Sequence, residues 1–187
     1  MPSKKNRVML AVTLACAGAF AMLPACSTAP RSGDQASVSS NARSNTTWFK
    51  SNVSGLDSQL SNSAGYTSFP SVGQYGLGIG GGKFGRGAVF NASGTQIGWA
   101  YINTGSAGLQ IGVQGFKMLV VYEDAATMRQ FQQNQLTGNV GAVAVIAEEG
   151  SSGAASFTDG VAVYQGGNTG LMAGASIGLD YMRYEPF

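Results

Sequence analysis

Few residues in this chain could do chemistry. It contains no histidine and only two cysteines, Cys16 and Cys26. Without histidine there is no base for a Ser-His-Asp or Cys-His nucleophile and no imidazole ligand for a metal. Two cysteines are too few for a zinc knuckle, an iron–sulfur site or a disulfide scaffold. The adjacent acids are Glu123-Asp124 and Glu148-Glu149. One pair sits at a helix start and the other in a loop mouth, so both read as solvated charges rather than as a metal site or a glycosidase pair. These residues predict a protein that is not an enzyme and needs no cofactor.

The glycine-rich motifs fare no better. Gly76-Leu77-Gly78-Ile79-Gly80-Gly81 and Gly80-Gly81-Gly82-Lys83-Phe84-Gly85 both match G-x-G-x-x-G. A dinucleotide site needs a helix next, with its N-terminus on the pyrophosphate. Here Phe84 to Phe90 reads as strand, and no acid stands at 96–101. Gly82-Lys83 lacks the P-loop glycine, since Leu77 stands five residues earlier, and Phe84 replaces the magnesium-binding Ser or Thr. Gly174-Ala175-Ser176-Ile177-Gly178 matches G-x-S-x-G but reads as strand and has no histidine to serve it. Lys83 and Arg86 are the motif that survives. They flank Phe84 among glycines that expose backbone N–H groups, a pattern suited to a phosphate, with the aromatic at a headgroup interface. The bland alternative is a solvent-facing turn with two solubilising charges.

Three basic residues, Lys4, Lys5 and Arg7, precede an apolar run from Val8 to Leu23. About sixteen residues is the length of a signal-peptide core and too short for a comfortable membrane span. Leu23-Pro24-Ala25-Cys26 then resembles the bacterial lipobox, in which the cysteine is acylated and the chain is cut before it. The reading is a lipoprotein signal over 1–25 and a lipid anchor on Cys26; an ordinary cleaved signal, leaving Cys26 as a free thiol, is the alternative. Ser27 favours the outer membrane, facing the periplasm. Removing the three signal cations from the eleven basic residues leaves eight against nine acidic, a net of −1. Bulk charge therefore gives no support to nucleic-acid binding.

Residues 26–45 are rich in Ser, Ala, Asn and Gln without hydrophobic period, so a flexible tether is expected there, with the domain beginning at 46. Phe49, Val53, Leu56, Leu60 and Ala64 form one helical stripe, with N-caps at 45–47 and a stop at Gly65. A second helix is expected from Asp124 to about Asn134, with Met128 and Phe131 inward. Most of the rest alternates with period two, giving seven or eight mostly antiparallel strands. Loops are expected at 91–95, 103–108, 148–160 and 166–169, and a bulge at Gly115-Phe116. Glycines within strands allow tight coiling. The expected fold is mainly β (α+β): a small, strongly coiled antiparallel β-barrel with two or three helices on its surface.

Several blocks then resemble one family. Gly65-Tyr66-Thr67-Ser68-Phe69-Pro70, Gly76-Leu77-Gly78-Ile79-Gly80-Gly81, Gly85-Arg86-Gly87, Gly108-Leu109-Gln110-Ile111-Gly112, Gly170-Leu171-Met172, Ala175-Ser176-Ile177-Gly178 and Tyr184-Glu185-Pro186 follow the order seen in SYLF domains. The match covers roughly 48–187. The resemblance implies a β-barrel with surface helices, binding of anionic phospholipids such as phosphoinositides, and no catalysis. It also implies a basic N-terminal helix at the membrane; here that helix carries one cation, Lys50. The function expected is an envelope-anchored lipoprotein that weakly binds anionic phospholipid headgroups through Lys83, Arg86 and Lys50. The alternative is a structural envelope protein whose barrel binds another protein or a glycan. Sequence leaves the oligomeric state open.

Overall fold

Two strands dominate the fold. In the computed structural model, which describes residues 33–136, 139–140, 143–146, 152–171, 177–178 and 182–187, β2 (Gly65–Asn91) and β3 (Gln96–Tyr122) pair antiparallel along almost their whole length. Short strands surround them: β1 (Val53–Ser54), β4 (Asn139–Val140), β5 (Val143–Ile146), β6 (Ser152–Gly153), β7 (Val161–Leu171), β8 (Ile177–Gly178) and β9 (Met182–Pro186). The turn between β2 and β3 falls where it was expected. The Asn91 carboxamide oxygen accepts from the Ser93 hydroxyl and the Thr95 N–H, and Gly94 supplies the left-handed residue at φ 76°.

Each of these strands has 27 residues, which would reach about 90 Å if straight. Instead β2 folds back on itself. The Phe84 ring lies over Gly73, and the Tyr75 ring lies over Gly82, so each aromatic covers a glycine of the opposite half. Gly87 meets the Ser68 carbonyl and the Phe69 ring so closely that no Cβ fits there. Small residues set where the strand can curl, as their placement inside the strands predicts.

The curled sheet does not close. Among the described residues its order is β2-β3-β7-β5, with β9 sharing the second edge of β3. No ladder joins the outer strands, so the closed barrel is corrected to an open, mainly β (α+β) sheet. The halves of β2 meet where aromatic rings lie over glycines.

Two expected loops are strand. Residues 103–107 pair with 80–84, with Gly80, Gly81 and Gly82 opposite Ala107, Ser106 and Gly105, and so continue the ladder through the bend. Residues 166–169 belong to β7, where Gly167 at φ 58° marks a bulge rather than a turn. The register slip at Gly115-Phe116 is present, but the extra residues lie on the neighbours. On β2 the slip falls between Phe69 and Val72, around Pro70, whose missing N–H suits a bulge. Gly174 to Ser176 and Glu148-Glu149 lie outside the described residues, as do Cys26 and the signal segment.

The helices also depart from expectation. Helix α1 spans Gln35–Asn52, so the stretch 35–45 that composition reads as tether is helical. Its polar residues hide the signal because they serve the helix locally. The Ser37 and Ser40 hydroxyls each donate to the carbonyl three residues back. The stripe of Phe49, Val53, Leu56 and Leu60 is buried as expected, but the helix is broken within it. Val53–Ser54 turns to pair with β6, Gly55 takes φ 84°, and α2 (Leu56–Asn62) follows. Helix α3 (Ala125–Gln132) matches its reading: the Asp124 carboxylate accepts from the Thr127 N–H at 2.8 Å.

The sheet has a core on each face. Met128 and Phe131 of α3 pack on one face with Phe69, Met118 and Tyr122, where Tyr122 stacks on Phe131 at 4.8 Å. Ala42, Phe49, Leu56 and Leu60 of α1 and α2 pack on the other face, with Phe90, Leu119 and Tyr164. Each fully buried large apolar side chain contributes about 1.5–3 kcal/mol. Asn45 fastens α1 to the Pro70 bulge. Its carboxamide nitrogen donates to the Phe69 and Met118 carbonyls and to the Ser68 hydroxyl, at 3.0–3.2 Å. The Ser68 hydroxyl in turn donates to the Ala42 carbonyl.

Candidate functional site

The ladder from Lys83 to Gly87 is regular, each residue opposite one of β3. Successive side chains therefore alternate between faces. Lys83 points to the face that carries Val89 and the α3 core, whereas Arg86 points to the face that carries Ala88 and the α1–α2 core. The two cations do not converge. Lys83 is half-buried, and burial pushes its ammonium below the ordinary lysine range. Arg86 is exposed. A strand reading of 84–90 already implied this split, because residues three apart on a strand face opposite ways.

Lys50 stands apart from both. It pairs with Asp57 at 2.8 Å and so ties the end of α1 to α2. An exposed pair of this kind is worth about 0–1 kcal/mol. Two further cations rest on aromatics of the packed region: Arg43 over Phe90 at 5.1 Å and Lys117 over Trp48 at 5.2 Å.

Arg86 has different neighbours from those the sequence suggests. Phe84, two residues before it on the same face, is 58% exposed. Opposite them on β3 stand Asn103 and Tyr101. With Ser71 these residues line an open pocket of about 390 Å³. Tyr101 also faces Arg183 of β9, so Arg86, Tyr101 and Arg183 form one row across three strands. Nearby, Tyr75 and Val113 pair across the hairpin and are 39% and 70% exposed. An apolar rim thus lies beside a guanidinium at the mouth of a pocket. Nothing in local spacing reveals the row, because residues 86, 101 and 183 meet only through the topology.

Other chemistry finds no support in the geometry. The stretch Gly76–Gly82 runs on as strand to Asn91, so no helix N-terminus faces a phosphate there. Among the described residues no three Cys, Asp or Glu side chains gather to hold a metal. Among the same residues no helix is long and apolar enough to cross a membrane. No family model matches the chain, and no curated protein and no solved structure matches it either.

Proposed function

We propose that this chain is an envelope-anchored, non-enzymatic lipoprotein whose domain weakly binds anionic phospholipid headgroups. The observation that carries the reading is exposed Phe84 beside exposed Arg86 at the mouth of the pocket, with Tyr75 and Val113 near. An aromatic of this kind sits at the headgroup level, and the guanidinium meets lipid phosphate. The motif resemblance to SYLF domains and the lipobox at Cys26 support the same reading. The site differs from the one sequence suggested: Arg86 takes part, while Lys83 faces the other side and Lys50 serves the helices.

Each cation near an anionic surface is worth about 1 kcal/mol, so the isolated domain binds weakly. The Cys26 anchor offsets this by holding the domain at the membrane, which raises its effective concentration. Two experiments test the reading. Cys26→Ser should leave the chain unprocessed, with no acyl group on it; a processed, acylated variant contradicts the anchor. Residues 33–187, which carry every described element, should float with phosphatidylglycerol vesicles at low salt and not with phosphatidylcholine vesicles. Equal behaviour with both contradicts headgroup binding.

A further inference from the structure

We infer that the lipid-facing surface has a second cationic end, Lys117, seated on the Trp48 ring and separated from Arg86 by Phe84, so that the domain meets a bilayer along a strip. This rests on the reading of the Arg86 face as the one that meets anionic phospholipid, and it extends that face toward α1. Side-chain direction places Lys117 there. Phe116 and Met118 enter the α3 core, so Lys117 between them projects from the opposite face of β3, the one on which α1 packs. Phe84 and Arg86 project from that same face. The Lys117 ammonium lies 5.2 Å from the centre of the Trp48 ring, beside Gly167 of the β7 bulge.

Two contacts fix the order along this face. The Phe84 ring lies over Gly73, whose partner on β3 is Gly115, about 7 Å along the strand from Lys117. The register skips Pro70 and Ser71, which therefore stand across from Lys117, and Ser71 also lines the pocket with Arg86. Phe84 thus lies between two cations, and Trp48 flanks the outer one. The ring holds the ammonium by cation–π attraction and leaves its charge in place. Among the described residues no carboxylate pairs with Lys117 or Arg86. Two cations separated by an aromatic ring suit a surface of repeated phosphates, with the rings at headgroup level. A soluble phosphate ester would meet one end only, so the partner is the anionic lipid surface.

The chain has two tryptophans; Trp48 is half-buried, whereas Trp99 is buried. Trp48 therefore reports contact at the Lys117 end. The full chain is reconstituted in vesicles with a trace of lipid carrying a nitroxide on its headgroup, which quenches tryptophan at short range. The anchor holds every variant at the bilayer, so quenching reads docking of the domain. Phosphatidylglycerol vesicles should quench wild type more than phosphatidylcholine vesicles do, and Trp48→Phe should lose that difference. Lys117→Gln should weaken docking about fivefold, the effect of one cation at an anionic surface, and Lys117→Arg should retain it. If Lys117→Gln fails to fold, Lys117→Met, which keeps the stem on the Trp48 ring, takes its place. Lys117→Gln docking like wild type while Arg86→Gln does not overturns the strip and leaves the lipid reading standing. Excess quenching that survives Trp48→Phe does the same. Equal quenching of wild type in both kinds of vesicle overturns the strip and the lipid reading together.

Discussion

The same two strands behave differently along their length. Where Gly65–Phe69 pairs with Met118–Tyr122, the hairpin is covered on both faces, by α1 and α2 on one side and α3 on the other. Tyr66, Thr67, Ser68, Phe69 and the five residues opposite are all buried. Around Ser71–Arg86 burial is partial among the described residues: Val72 and Gln74 are buried, whereas Tyr75, Phe84, Arg86 and Val113 are exposed. One half spends its side chains on stability. The other leaves a cation and two aromatics exposed. One pair of strands thus carries a buried stretch and an exposed one, and the proposed site lies in the exposed stretch.

The largest test of this contrast lies where the two halves touch. Gly87 sits against the Ser68 carbonyl and Phe69, so Gly87→Val must push the halves apart. It should cost more than ~3 kcal/mol in a urea melt, above the usual range for a point mutation. A change below ~1 kcal/mol would mean the curl is loose. Next comes the fastening at the bulge. Asn45→Ala leaves the Phe69 and Met118 carbonyls without their side-chain donor, a loss of about 1–3 kcal/mol by denaturant melt. A neutral result would remove α1 from the support of that half.

The two halves also differ in how they respond to alkali. Tyr122 is fully buried and burial drives its hydroxyl above the ordinary tyrosine range, against the opposing hydrogen bond with Thr67. Its folded-state value lies above its unfolded value, so its contribution is intact below about pH 10 and is lost as pH rises beyond that. Tyr122→Phe should flatten the fall in melting temperature above pH 10. Lys83 has the opposite sign. Its folded-state value is lowered, so between that value and the ordinary lysine value the unfolded state holds more protons, and stability rises with pH. Lys83→Met should erase that smaller rise; a rise that persists places its origin elsewhere.

These contrasts show what was legible in the sequence. The Phe49–Leu60 stripe, the Asp124 cap, the turn at 91–95 and the strand at 84–90 were readable because each is local. The helix over 35–45 was not, because its Ser and Asn side chains bond to nearby backbone or to the bulge, which no hydrophobic period reports. Residues 103–107 read as a loop because glycine and small polar residues are common to turns and to ladders that bend. Arg86 was legible as a candidate. Its partners were not, since Tyr101 and Arg183 reach it only through pairing across β3.

The smallest stability effect belongs to the exposed half. Phe84→Ser and Arg86→Gln remove side chains that stand largely in solvent, so each should change stability by no more than about 0.5 kcal/mol. A larger loss for Phe84→Ser would mean that its ring on Gly73 supports the curl as well.

On the function proposed above, the exposed half of the hairpin binds anionic lipid while the buried half supports it. Vesicle co-sedimentation of residues 33–187 against the Phe84→Ser/Arg86→Gln double variant tests it most directly, with phosphatidylglycerol vesicles at low and raised salt. Wild type should bind at low salt, binding should weaken as salt screens the guanidinium, and the folded double variant should not bind. Undiminished binding by the double variant, with an unchanged melting temperature, would contradict it.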